Sequence, residues 1–148
     1  MVNVCTEIHI DVPCAEVAAY AANPDNAPRW YQNIDTAEWL SEPPLSTGSQ
    51  VRFSARFLGR TLSYTYQFVE VIPGTRLVMR TSQGPFPMET TYTWDEDGAG
   101  TRMTLRNAGQ PRGFSILAGA FMSPMMRRAM RKDLARLKDI LENSPAGM

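Results

Sequence analysis

A single histidine bounds the catalytic chemistry open to this chain. His9 is the only one in 148 residues. It alternates with Ile8 and Ile10, which puts it on the outer face of a strand. A serine, threonine or cysteine nucleophile needs a base beside it, commonly an imidazole, and none is placed to serve. Metal chemistry fails on similar ground, because Cys5 and Cys14 have neither the spacing of a zinc pair nor a second cluster to join. QGPFP and DEDGAG are turns rather than the glycine-rich loops that cradle phosphates or dinucleotides. The expectation is no metal and no cofactor.

What remains is the chemistry of polar side chains turned into an apolar interior. A buried hydroxyl or carboxyl there must find a partner, and a ligand can be that partner. Tyr64, Tyr66 and Tyr92 bring hydroxyls at strand positions of inward parity, and Asn107 continues the parity of Met103 and Leu105. Glu70 continues the parity of Tyr66 and Phe68 and is the one carboxylate of the set. That makes it a weak candidate for a catalytic acid or base, against the plainer reading of a solvated rim residue before Pro73. Tyr66 falls near the middle of its face, with few backbone groups to meet. Its hydroxyl is expected to reach a ligand, water or another polar group of the pocket. Phe53, Phe57, Phe68 and Met79 share the inward face with Met88, Met103, Phe121 and Met126. Each reads singly as core packing. As a set, in a chain with nine methionines, they suit an adaptable apolar cavity.

These side chains need strands to carry them. From Val4 to Asp11 the alternation of Val4, Ile8 and Ile10 with Cys5, Glu7, His9 and Asp11 predicts a half-buried strand. Asp11 stands as a helix cap and Pro13 presets the first turn of a short helix, CAEVAAYAAN. Asn23 and Pro24 break it and start a second, NPDNAPRWYQNI, supported by Asp25 and anchored by Trp30, Tyr31 and Ile34. For Trp30 the anchor reading outweighs a ligand contact. A strand over Asp35 to Leu40 and the loop SEPPLSTGS follow.

Taking Gly59-Arg60 as a two-residue turn, glycine first, pairs Phe57 with Leu62, Ala55 with Tyr64, Phe53 with Tyr66 and Val51 with Phe68. Every residue on that face is then apolar or aromatic, and a slip of one residue would invert both strands. Turns at Pro73-Gly74 and DEDGAG divide the remainder into strands carrying Leu77 and Met79, then Met88 to Trp94, then Met103 and Leu105. The period changes after Gly113, where Met126, Met130, Leu134, Leu137 and Leu141 recur at helical steps. Pro124 fits either the first turn of this helix, with Ser123 as cap, or a kink in a helix already running from Phe114.

Lysine plus arginine equal aspartate plus glutamate, 15 of each, so no overall field draws the chain to nucleic acid or an anionic membrane. The basic run from Arg127 to Lys138 is broken by Asp133 and Asp139 and reads as the solvated flank of the last helix. No stretch approaches the roughly 20 apolar residues of a membrane span, and no basic-then-apolar leader opens the sequence. Free thiols and a cytoplasmic location follow as expectations.

The order of elements, a strand, two short helices, a strand meander and a long terminal helix, resembles the START-like superfamily, also called SRPBCC. The likeness is carried by IHIDVP, PDNAPRWYQNI, VEVIPGTRLVMRT, GAGTRMTLRN and MRRAMRKDLARLKDIL. It implies an α+β helix-grip fold: a curved antiparallel sheet of about seven strands around the C-terminal helix, over residues 1–143, with 144–148 as a flexible tail. It also implies a cavity between sheet and helix. The expected function is binding or carriage of an apolar small molecule, lipid-like or polycyclic aromatic. The alternative is an enzyme of the polyketide cyclase or dehydratase type, with Glu70 and Tyr64 or Tyr66 moving protons. A regulatory domain without a ligand would need a filled interior.

Overall fold

The computed structural model describes residues 2–57, 59–81, 87–109 and 116–143, with side chains placed except at 56, 57, 60 and 116–122. The expected tail, the QGPFP turn apart from Pro87, and the Phe57 and Phe121 side chains lie outside the described residues.

The elements run β1 (Val2–Ile10), α1 (Cys14–Ala22), a 3-10 turn (Pro24–Asn26), α2 (Ala27–Trp30), β2 (Ile34–Trp39), β3 (Gln50–Phe57), β4 (Arg60–Ile72), β5 (Arg76–Thr81), β6 (Met88–Asp97), β7 (Gly100–Gly109) and α3 (Ile116–Glu142). Seven antiparallel strands form one curved sheet in the order β1-β7-β6-β5-β4-β3-β2. This is the helix-grip arrangement. Met130, Leu134 and Leu137 of α3 are buried in one core with Val4, Phe68, Met79, Tyr92, Met103 and Leu105 of the strands. The helical period of the first group and the twofold period of the second are what let both faces meet.

Several local expectations are corrected. Phe57 pairs with Arg60, so the hairpin turn closes one residue earlier than Gly59-Arg60, and Phe53 faces Tyr64 while Val51 faces Tyr66. Gly59, at φ 75°, takes the second turn position, where a positive φ favours glycine. Each partner moves by two residues, so the inward face is unchanged. Phe53 and Tyr66 still touch edge to face, as diagonal neighbours 5.7 Å apart.

A bulge between Phe68 and Glu70 has larger effects. Phe68 pairs with Met79, but Glu70 pairs with Val78 and Val71 with Leu77. The extra residue reverses the alternation. Glu70 therefore turns to the outer face, where its carboxylate accepts from Arg76 Nε at 2.9 Å.

Asp11 does not cap α1. Pro13 holds the N-cap position without a side-chain bond, and the Asp11 N–H donates to Glu142 Oε2 at 2.8 Å. The second helix is shorter than its pattern suggests: Asn23 Oδ1 accepts from the Asp25 N–H at 3.0 Å to start the 3-10 turn, and extended backbone at Tyr31 ends α2. Trp39 Nε1 donates to Asp25 Oδ1 at 2.9 Å, tying that turn to β2. At the other end of the chain, α3 runs through Pro124 from Ile116, the second of the two alternatives. Cys5 and Cys14 are free.

β7 begins hard against the end of β1. A Cβ on Gly100 would lie 2.6 Å from the Ile10 carbonyl oxygen, a backbone contact that cannot rotate away. Gly100→Ala is expected to lower stability by about 1 to 3 kcal/mol, seen as a lower urea midpoint at unchanged slope. An unchanged midpoint would show that β1 and β7 are less tightly apposed than described.

Candidate functional site

The candidate residues divide between two parts of the concave face. At the end covered by α1 and α2, Phe53, Phe68, Met79 and Tyr92 surround a void of about 10 Å³, at most the room of a single water. Phe53, Phe68, Met79, Tyr92 and Met103 are buried. Tyr64, Tyr66, Met88, Asn107 and Met126 are only partly buried. Glu70 is outside this group, on the opposite face of the sheet.

Across the concave face the polar atoms are brought together. Tyr66 lies close enough to Thr90 for that hydroxyl to act on it, and the Thr90 hydroxyl donates to Asn107 Oδ1 at 2.6 Å. Thr90 and Asn107 are cross-strand partners, so the sheet register fixes this pair. Beside it the hydroxyls of Tyr31 and Tyr92 bond to each other. Trp30 stacks on Tyr31 with ring centroids 4.1 Å apart and leans on Tyr92 at 5.7 Å. Trp30 is fully buried, in keeping with its reading as an anchor. It holds Tyr31 over the sheet.

Burial raises every one of these hydroxyls, because a phenolate loses its water there. Tyr66 is pushed up to about 12 by burial and by the neighbouring Tyr64. Tyr92 is raised by burial, against the opposing effect of Tyr31. Tyr31 is raised well above the ordinary range by burial and then by Tyr92. All three stay protonated near neutrality and act as hydrogen-bond donors. Two hydroxyls carry two protons and the Tyr31–Tyr92 bond uses one, so the pair retains a donor for a third oxygen.

Asp133 completes the cluster from α3. Its carboxylate accepts from the Gln32 N–H at 3.0 Å and is 8% exposed. Burial pushes its pKa up to about 6, opposed by the Gln32 N–H and by Arg136. In the sequence it reads as one of the solvated charges of the last helix, and the structure corrects that reading. Its spacing, three residues after Met130 and four before Leu137, is the available signal, since those steps share a helix face. Tyr31 reads in the sequence only as an apolar anchor. Its partner Tyr92 is 61 residues away, and nothing local reveals it.

A seven-stranded sheet gripping a terminal helix, with hydroxyls gathered on its inner face, defines a START-like domain. The sequence matches the polyketide cyclase / dehydrase and lipid transport family over residues 1–142, and the chain belongs to that family, within the SRPBCC superfamily. Among solved structures it is similar to the Zhui aromatase/cyclase from Streptomyces sp. R1128, at 16% identity and a TM-score of 0.82, covering 98% of this chain and 97% of that one. It is similar to TTHA0849 from Thermus thermophilus, at 18% identity and a TM-score of 0.79, covering 96% and 99%. The di-domain ARO/CYC BexL from the BE-7585A biosynthetic pathway matches at 22% identity and a TM-score of 0.78, where the chain covers 96% of itself and 47% of that protein. At these identities the likeness is one of fold. No curated protein matches the sequence. No helix among the described residues is long and apolar enough to cross a membrane.

The raised Asp133 pKa has a consequence for stability. The folded carboxyl holds its proton more tightly than the unfolded one, whose value is 3.8. Stability should therefore fall as pH rises from about 4 to about 6 and level off above. Asp133→Asn keeps an acceptor for Gln32 and removes the charge. It is expected to flatten that slope and to raise stability at pH 7 by about 1 to 3 kcal/mol, read from urea titrations across the range. A slope that persists in the variant would assign it to other groups.

Proposed function

We propose that this protein binds an apolar small molecule bearing a carbonyl or hydroxyl oxygen, lipid-like or polycyclic aromatic, on the concave face. The observation that carries the reading is the tyrosine cluster. Tyr31, Tyr66 and Tyr92 keep protonated hydroxyls beside the apolar Trp30, Met79, Met103 and Leu105, with Thr90, Asn107 and Asp133 as the other polar groups of the cluster. Such a surface favours ring or chain stacking and orients one oxygen by hydrogen bonds. Membership of a family described by both cyclization and lipid transport agrees with an oxygen-bearing apolar ligand. A cytoplasmic setting and the absence of a nucleic-acid partner belong to the same reading.

A second reading, an enzyme of the polyketide cyclase or dehydratase type, is favoured by Asp133. With a pKa of about 6 beside the Tyr31–Tyr92 pair, its carboxyl could take a proton near neutrality while a tyrosine donates to the developing oxyanion. Glu70 would have no part in it.

Trp30 stacks directly on Tyr31, so tryptophan fluorescence is a natural readout. A panel of hydroxylated anthraquinones and long-chain fatty acids is expected to give saturable quenching with at least one class. Tyr31→Phe should weaken the best ligand about tenfold, the equivalent of ~1.4 kcal/mol. No saturable response to any of the panel would sink the binding reading. Turnover of a linear poly-β-ketone that Asp133→Asn abolishes, with binding kept, would decide for the enzyme.

A further inference from the structure

Beneath α1 lies a cavity of about 410 Å³, within the range of small-molecule sites. One wall is the alanine face of α1, Ala15, Ala18, Ala19 and Ala22, and the other is formed by the end of β4 and the start of β5, with Val71, Ile72 and Leu77. Trp94 contributes from β6 and Leu45 from the loop after β2. Among the described residues, none of α3 lines it, and none of the tyrosines of the concave cluster does. Its lining shares no residue with that cluster.

Two features mark this cavity as more than a packing gap. First, α1 has one charged residue, Glu16, in its nine. A helix at the surface ordinarily carries a polar outer face, yet Ala15 and Ala19 are exposed toward the opening. Second, the facing lip exposes Ile72 at 46%. Apolar surface is thus left to solvent on both sides of the same opening, where one occupant would cover both.

The lining also restricts what that occupant is. Arg76 is the one charged residue of the wall, and its guanidinium already donates through Nε to Glu70 at 2.9 Å. The cavity therefore has no unmatched charge for an anionic head group, and a charged ligand would lose hydration there without recompense. Alanine walls allow a flat molecule to lie close to the helix backbone.

We infer that the cavity between α1 and the β4–β5 hairpin is a second ligand site, which takes an uncharged, flat apolar molecule. It stands apart from the concave tyrosine cluster and does not depend on the reading given to that cluster.

The test uses the uncharged fluorophore N-phenyl-1-naphthylamine and the whole chain with its alanine methyls labelled for NMR. The expected result is saturable binding that shifts the Ala15, Ala19 and Ala22 methyls. Ala19→Leu, at an exposed helix position that tolerates leucine, should narrow the cavity along α1 and weaken that binding at least tenfold, and Ala15→Leu should do the same. Tyr31→Phe should leave it unchanged. The anionic 8-anilinonaphthalene-1-sulfonate should shift these methyls at least tenfold more weakly. Probe binding that spares the alanine methyls, or that both leucine variants leave intact, would overturn the site. So would a concentration-dependent dimer in sedimentation that Ala19→Leu dissociates, since a second copy of the chain would then be the occupant.

Discussion

A strand residue can face only two ways, and the concave surface of this protein depends on how β4 spends its alternation. Two devices set it. The hairpin with β3 fixes Tyr64, Tyr66 and Phe68 inward, paired or diagonal to Phe53 and Val51. The bulge after Phe68 then resets the strand so that Val71 also faces inward, opposite Leu77. Without that extra residue the end of β4 would present Glu70 to the core and Val71 to solvent. The same bulge gives Glu70 to Arg76 and so leaves the wall under α1 without an unpaired charge. One backbone irregularity thus separates a solvated ion pair from two apolar surfaces.

This dependence explains what could be read from the sequence. The alternating and helical periods named the strands, the long helix and the inward face, because those periods are imposed by burial and survive in the residue types. The hairpin face was legible even though its register was two residues off, since parity is unchanged by a shift of two. Glu70 was misplaced because a bulge leaves no mark in a pattern read by counting twos. Asp11 differs for another reason: α1 starts two residues further on, with Pro13 at its N-cap, and the Asp11 N–H is met by Glu142, 131 residues away. The grouping of Tyr66, Thr90 and Asn107 is half legible, as two of its three members carry inward parity and polar atoms. Tyr31 and Asp133 were hidden because α2 and α3 reach the cluster by tertiary packing alone.

The polar groups of the interior are not treated alike. Trp30 Nε1, Trp94 Nε1 and the Tyr20 hydroxyl are buried with no hydrogen-bond partner among the described residues, each a cost of about 1 to 3 kcal/mol. Those side chains are retained for their bulk: Trp30 holds Tyr31 and Tyr92 in place, and Trp94 leans on Tyr92 at 6.0 Å. The hydroxyls of Tyr31 and Tyr92, by contrast, bond to each other. The fold leaves donors stranded where an aromatic serves as a wedge and satisfies them where the hydroxyls converge.

That contrast bears on how the concave face would discriminate among ligands. The end packed by Phe53, Phe68 and Met79 leaves a void of only about 10 Å³, so on the proposed reading an occupant would lie over the partly buried Tyr66, Met88 and Asn107. Apolar contact there is spread over flexible methionine and ring surfaces and distinguishes poorly between ligands of similar size. Hydroxyls whose positions are fixed by sheet register and by Trp30 distinguish sharply, because a ligand oxygen in the wrong place gains no bond and an apolar group there leaves a donor without a third partner. Discrimination would then rest on the position of a ligand oxygen more than on the length or shape of its apolar body, and Asp133, held by the Gln32 N–H at the edge of the same cluster, would make that preference sensitive to pH near its own titration.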